Sequence, residues 1–410
     1  MNIALVTGPY YPHMSPESNC IDKFIQELKK RHQVRVICPS SIPGEPNVEL
    51  QGLNVYYISD FWNDLRGLCN RRIIDEKGFF WKLVLFFVRL HGLIISPFVY
   101  PSRNSWKIEK YKRRLMQLND LKKIDAIISV AGLPCAHLGA LRYKEEHPET
   151  KWITYTFDPF SASPDTYNSL FFRDKRKRKN RAVEKRIYEN ADYNIFTPEL
   201  YVVNKDLFNL TSPKIRCFPY VLSPFPSQKK NEKRCDESQL KAIYAGALNK
   251  KVRNPQRMLE IMKEVDCLEV DLYVAGNCKK LIKRFECEHI KANSLLPRTD
   301  YLYMINNEAD ILINVGNSTA LMTPSKFLEL LSTGLPLINF YVIEDTTFYM
   351  TEKYPLGLNI GPKVENANHM IEDFCKMTKG KRLSFEEVAD LFPANLIHNQ
   401  LNELEDMLEN

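Results

Sequence analysis

Short apolar runs separated by stretches of one-face helical spacing constrain this chain most, because parallel strands can be joined only by long, usually helical, crossovers. Ile3-Ala4-Leu5-Val6-Thr7 is the first such run, and the turn-forming Gly8-Pro9-Tyr10-Tyr11-Pro12 follows it. Ile21, Phe24, Ile25 and Leu28 then recur on one helical face, and Val34-Arg35-Val36-Ile37 closes a βαβ unit. Ala126 to Val130, Trp152 to Thr156 and Tyr193 to Phe196 continue the alternation. The pattern predicts an α/β, doubly wound sheet.

The 410 residues, 44% of them hydrophobic, exceed one ordinary domain and suffice for two cores. From Leu222 to Gln239 the sequence turns to Pro, Ser, Lys and Glu without apolar periodicity, as an exposed connection does. We therefore expect a first domain over 1–221, a linker over 222–239 and a second domain over 240–384. Strands of the second are expected at Ala242 to Ala245, Val270 to Ala275, Ile311 to Val315 and Pro336 to Phe340, with helices near Pro255 to Val265 and Lys326 to Ser332. No solenoid-length repeat is present.

Met1 to Val6 lacks a basic leader and runs straight into a strand, so the chain is expected to stay in the cytoplasm. Ten cysteines are scattered from Cys20 to Cys375 with no Cys-x-x-Cys pair, which argues for reduced thiols and against a zinc cage. No metal or cofactor is expected.

Lys82, Arg89 and His91 interrupt the most apolar stretch, Phe79 to Tyr100, short of the ~18 residues of a spanning helix. Two placements fit it: a core helix of the first domain, or a helix lying in a bilayer interface with Phe80, Leu83, Val84, Phe87 and Leu90 on one side. The net charge of +7 favours an anionic partner, and Arg173 to Arg186 holds its densest basic cluster. A solvated helix, an anionic membrane contact and nucleic acid all fit such a cluster. No nucleic-acid module accompanies it, so we expect no nucleic acid and take an anionic membrane surface as the partner.

In open α/β sheets, ligands collect at the carboxyl ends of strands. Tyr244-Ala245-Gly246-Ala247-Leu248 brings a glycine to such an end, and Lys250, Lys251 and Arg253 follow in one loop. Alone, the loop reads first as a solvated basic turn. Thr323-Pro324-Ser325-Lys326-Phe327-Leu328-Glu329 adds a helix start that would aim its positive end at a diphosphate, with Glu329 one turn in to accept from a ribose diol.

These segments, with the opening Thr7-Gly8-Pro9-Tyr10-Tyr11-Pro12 and Gly334-Leu335-Pro336, resemble the retaining GT-B glycosyltransferases of the family 4 type, particularly bacterial surface-polysaccharide enzymes. The resemblance runs over nearly the whole chain. It implies two facing Rossmann-like domains with an interdomain cleft, the first completed by a C-terminal helix over 385–410. It places Glu329 as the second acid of a Glu-x7-Glu pattern, on the nucleotide ribose, and Arg253 on the donor diphosphate, with Gly246, Ser325 and Lys326 beside them. Leu321 stands where the first acid would be, and Ala247 where an Arg often follows the strand glycine.

In the first domain, Asp158-Pro159 is similar to an Asp-Pro of related members and makes Asp158 the catalytic candidate facing the acceptor. His137, which matches no family position, is the second candidate, against a helix-packing role. The implied activity is metal-independent transfer of a sugar from a nucleotide-sugar donor to a saccharide or lipid-linked saccharide. A nucleotide-sugar epimerase of the same fold, or a non-catalytic glycan- or partner-binding protein, remains open.

Overall fold

A computed structural model describes residues 1–12, 14–40, 47–50, 52–59, 61–76, 79–95, 105–131, 134–162, 173–226, 239–319 and 326–410. It divides into two compact units, one of Met1–Pro219 with Gln400–Asn410 and one of Tyr220–Asn399. Each is an α/β unit around its own sheet.

The first unit contains β1 (Asn2–Val6), β2 (Gln33–Pro39), β3 (Val48–Leu50), β4 (Leu53–Ile58), β5 (Ala126–Ala131), β6 (Lys151–Thr156), β7 (Tyr193–Phe196) and β8 (Ile215–Cys217). Its helices are α1 (Pro16–Leu28), α2 (Phe61–Glu76), α3 (Phe79–Ile95), α4 (Trp106–Leu121), α5 (Cys135–Lys144), α6 (Arg173–Asn190) and α7 (Pro198–Phe208). The strand order is β3-β4-β2-β1-β5-β6-β7-β8, and every pairing is parallel except β3 with β4. β1 is buried along its whole length because helices cover both faces of a parallel sheet. Order reverses between β1 and β5, which opens a crevice at their carboxyl ends.

The second unit contains β9 (Leu240–Leu248), β10 (Leu268–Gly276), β11 (Ile290–Asn293), β12 (Ile311–Val315), β13 (Leu337–Phe340) and β14 (Gly357–Ile360). They pair in parallel in the order β11-β10-β9-β12-β13-β14, the dinucleotide-fold order, with its reversal between β9 and β12. The helices are α8 (Gln256–Met262), α9 (Lys279–Ile282), α10 (Arg298–Asn307), α11 (Lys326–Ser332), α12 (Thr346–Lys353), α13 (Ala367–Thr378) and α14 (Phe385–Leu391), and α15 (Ile397–Glu409) closes the chain. One hydrophobic cluster, with Leu259, Val270, Ile313 and Phe374, packs on one side; another, with Ile243, Phe327, Leu331 and Val388, packs on the other.

The C-terminal segment differs from the expected single helix over 385–410. α14 starts at a capping box, where Ser384 Oγ accepts from Glu387 N–H and the Glu387 carboxylate accepts from Ser384 N–H. Its Val388 is fully buried in the second unit's core, so burial holds it there. Only Gln400–Asn410 joins the first unit, where Arg216 pairs with Glu403 at 2.7 Å and Lys151 Nζ donates to Leu408 O at 3.0 Å. Of the expected linker, 227–238 lie outside the described residues.

Gly334, between α11 and β13, has φ +73°, and a Cβ built on it would lie 2.0 Å from Leu383 O. Its own carbonyl accepts from Leu383 N–H at 2.9 Å, so the segment before α14 is clamped to this glycine. Gly334→Ala is expected to cost about 2–5 kcal/mol, combining ~1–2 for left-handed backbone with ~1–3 for overpacking. A lower urea midpoint at unchanged slope checks it.

Candidate functional site

Two loops flank the reversal point of the second unit, and they are tied to each other. After β9 comes a turn in which Asn249 N–H donates to Arg253 O and Arg253 N–H returns to Asn249 O at 2.7 Å. After β12, Ser318 N–H donates to Val252 O at 2.6 Å and Ser318 Oγ to Lys251 O at 2.8 Å. Arg253 Nε donates to Asn317 Oδ1 at 3.0 Å, and the Arg253 guanidinium also meets the Tyr244 hydroxyl. Arg253 is thus held half-buried at the crevice rather than swinging on a free loop. Gly246 lies beneath the Tyr244 hydroxyl, which would stand 3.1 Å from a Cβ at that position. The ring of Tyr244, as well as bare backbone, therefore covers this strand end.

α11 delivers Lys326 and Glu329 to the same unit. The residue surface of Lys326 is exposed, but its Nζ folds to 5.2 Å from the centre of the Tyr301 ring and 3.5 Å from Ala245 O. This desolvation lowers its pKa; Glu329 opposes the effect, while Arg298 and Arg253 add to it by repulsion. Glu329 is half-buried, and its Oε1 accepts from Arg298 Nη1 at 2.6 Å. Tyr301, 6% exposed, donates its hydroxyl to the same carboxylate; burial and then Glu329 hold that phenol in its neutral form. A carboxylate with two oxygens has about four acceptor positions, so Arg298 and Tyr301 orient Glu329 and leave acceptors open. Three cations, Arg253, Arg298 and Lys326, against one carboxylate make the cluster a net cation suited to a phosphate-bearing ligand.

Arg298 and Asn317 are contributions that the sequence reading missed. Arg298 opens α10 behind Pro297, and Asn317 follows β12; no spacing links either to Glu329 or Arg253, and only the sheet order brings them together. Ser325 and Leu321 lie outside the described residues. Among the described residues, no group of three or more His, Cys, Asp or Glu side chains could hold a metal ion.

In the first unit, Asp158 follows β6 and is half-buried. Burial, and then the charge of Glu17, raise its carboxyl above the ordinary range. Glu17 sits in the first turn of α1, which Ser15 caps, and its Oε1 would lie 2.7 Å from a Cβ at Gly8. That glycine therefore lets the carboxylate fold against the loop after β1. Lys107, half-buried on α4, is lowered by burial, with Glu17 among the charges that oppose the shift. Glu184, buried on the inner face of α6, accepts from Phe160 N–H and Ser161 N–H at 3.1 Å each, and so fixes the loop that carries Asp158.

His137 stands apart from this cluster of carboxylates. It is 2% exposed, with Nδ1 2.8 Å from Ser129 Oγ and Nε2 3.2 Å from Thr156 Oγ1. Burial pulls its pKa down to about 3, so the ring is neutral at pH 7. Such an imidazole bridges β5 and β6 and has no proton to donate as an imidazolium; the geometry gives it a packing role.

No protein-family model matches this chain, and no curated protein matches it by sequence. Solved structures do match over the whole length. Sucrose-phosphate synthase from Thermosynechococcus elongatus superposes with a TM-score of 0.67 at 13% identity, covering 98% of each chain. The lipopolysaccharide outer core galactosyltransferase WaaB gives 0.58 at 10% identity, covering 100% of this chain and 99% of that one. The E. coli trehalose-6-phosphate protein bound with UDP-2-fluoro glucose gives 0.61 at 11%, covering 99% of each. The fold is that of GT-B glycosyltransferases.

Asp158 supplies a pH test. An Asp whose pKa is raised by folding adds stability fully below its unfolded pKa, and that contribution is lost as pH rises through the folded value. Asp158→Asn should therefore melt like the parent below about pH 3.9, the ordinary Asp value, and above the parent at pH 7. Thermal melts at both pH values check it, and a variant that melts below the parent at pH 7 would show a carboxylate stabilised by its surroundings.

Proposed function

We propose that this protein is a glycosyltransferase of the retaining, family 4 type, which moves a hexosyl unit from a nucleotide sugar to a saccharide or lipid-linked saccharide in surface-polysaccharide assembly. The observation that carries the proposal is the cationic cluster of Arg253, Lys326 and Arg298 around Glu329, beside the reversal point of a sheet in dinucleotide-fold order. Dinucleotides and nucleotide sugars bind at such points in open α/β sheets, with phosphates met by loop N–H groups and fixed cations.

In this reading, Arg253 and Lys326 neutralise the donor diphosphate, and Ser325, next to Lys326 in the sequence, is proposed to join them. Glu329, oriented by Arg298 and Tyr301, accepts from the ribose diol. Breaking the sugar–phosphate bond leaves negative charge on the diphosphate, and cations fixed beforehand lower that barrier without reorganising during the reaction. Fixed cations can fill the place of a divalent ion, so we propose a metal-independent reaction. Asp158, with Glu17 nearby, is proposed to receive the acceptor hydroxyl; a carboxyl pKa raised by burial suits a group that exchanges a proton with that hydroxyl. The UDP-2-fluoro glucose of the E. coli neighbour supports a nucleotide-sugar donor, and the outer-core product of WaaB supports a saccharide acceptor. A lipid-linked acceptor would place the enzyme at the anionic cytoplasmic face of a membrane.

Product analysis with a panel of labelled nucleotide sugars tests this. Transfer yields a new labelled glycoside and a nucleoside diphosphate, and the yield should survive EDTA. An isomeric nucleotide sugar would identify an epimerase, and no product from any donor with saccharide and lipid-linked acceptors would identify a binding protein. Loss with EDTA that manganese restores would contradict the metal-independent reaction.

A further inference from the structure

α3 is not a core helix. Phe80, Leu83, Phe86, Phe87, Leu90 and Ile94 are all exposed, Phe86 and Phe87 each at 57%. At 100° per residue, these six side chains occupy an arc of about 120°, so they form one continuous stripe. Phe79, at the first position, is 79% exposed. The other side of the helix is the packed one: Leu85 and Val88 are buried, Arg72 of α2 lies over the Trp81 ring at 5.9 Å, and Trp62 of α2 stacks on His91 at 3.8 Å. Trp62 and Phe61 are themselves exposed, so the start of α2 extends the apolar surface beside His91. Exposed apolar patches of this extent on a folded protein mark a surface that meets a partner or a bilayer.

Charge decides between occupants. Residues 79–95 contain Lys82 and Arg89 but no Asp or Glu. Both cations are exposed, and helical geometry sets them on one flank of the stripe. Arg66, Arg71 and Arg72 on α2 are exposed as well. A second copy of α3 would bring like charges together with no carboxylate on the helix to meet them. A lipid surface carrying phosphates satisfies both parts, with acyl chains under the phenylalanines and phosphates beside Lys82 and Arg89. No helix among the described residues is long and apolar enough to cross a membrane, which leaves α3 to lie in the interface plane.

The basic helix is the weaker candidate for that contact. On α6, Arg186 pairs with Glu145 at 2.5 Å, Lys185 lies 3.6 Å from Glu189, and Arg181 donates to Leu207 O. α6 also exposes no large apolar side chain among its described residues, and basic charge without apolar insertion gives one membrane signal where stable binding takes two. We infer that α2 and α3 form a membrane-docking hairpin that inserts the Phe80–Ile94 stripe into an anionic bilayer interface, with Lys82 and Arg89 on the headgroups. This extends the transferase reading without resting on it, because vesicle binding is measured without turnover.

Co-sedimentation of the full chain with phosphatidylcholine vesicles, with and without phosphatidylglycerol, tests the inference. The parent should bind only the anionic vesicles, and less at high salt. The Phe80→Ser, Phe87→Ser double variant should lose roughly ten-fold or more of the bound fraction, whereas Gln at Lys175, Arg176, Lys177 and Arg178 together should retain most of it. Both side chains are exposed, so the double variant should melt with the parent; if it does not, Phe86→Glu repeats the test by placing an acid against anionic lipid. Unchanged binding by these α3 variants, or loss confined to the α6 variant, would overturn the assignment. Absence of parent binding to either vesicle would overturn it too, and a dimer in sedimentation velocity that the double variant dissolves would identify a second copy as the occupant.

Discussion

The second unit depends on one topological constraint: a parallel sheet that grows in two directions from β9. The chain must leave β9 toward β10 and later return to β12 on the other side, so the crossovers diverge and the carboxyl ends between them stay open. The opening is not left slack. Ser318, Asn317, Lys251, Val252 and Arg253 join the two loops by backbone and side-chain hydrogen bonds, so a guanidinium is fixed where the sheet presents a crevice. The rest of the cluster follows from that placement, since α10 and α11 bring Arg298 and Glu329 to within 2.6 Å of each other.

Electrostatics is consistent with the proposed anionic ligand of this arrangement. Lys326 is less basic than usual because it is desolvated with Arg298 and Arg253 nearby. An isolated fold has little reason to gather three cations about a single carboxylate, and a bound diphosphate would offset that repulsion. The first unit shows the opposite sign, with Asp158 held above its ordinary pKa by burial and by Glu17. Strain of this kind at two crevices is what functional sites commonly retain at the expense of stability.

How much of this was legible in the sequence follows from where each element lies. β1, β5, β6, β9, β10 and β12 are interior strands of parallel sheets; β1, β5 and β12 are buried along their whole length, and the largely apolar stretches of the other three report the same burial over most of theirs. β8, β11 and β14 are short edge strands with mixed exposure, so they carry no such run and escaped notice. β3, at the opposite edge, is short and part-exposed, and β4 beside it alternates buried and part-buried residues instead of forming an apolar run. Arg253, Lys326 and Glu329 were visible as motif residues, whereas Arg298 and Asn317 depend on contacts across the sheet order. α3 was ambiguous because an exposed apolar helix face and a core-facing one read alike in sequence; the burial of Leu85 and Val88 against the exposure of Phe86 and Phe87 shows which face is packed.

Titration calorimetry of the full chain with nucleoside diphosphates measures the central claim, that the cluster around Arg253 and Glu329 is a nucleotide-diphosphate site. The account predicts saturable binding of at least one such nucleotide. Glu329→Ala should weaken it by about 1.5–3 kcal/mol, roughly 10- to 150-fold, for the loss of hydrogen bonds to a charged group. Folded Glu329→Ala and Arg253→Ala variants that bind as tightly as the parent, or a parent that binds no nucleoside diphosphate, would contradict it.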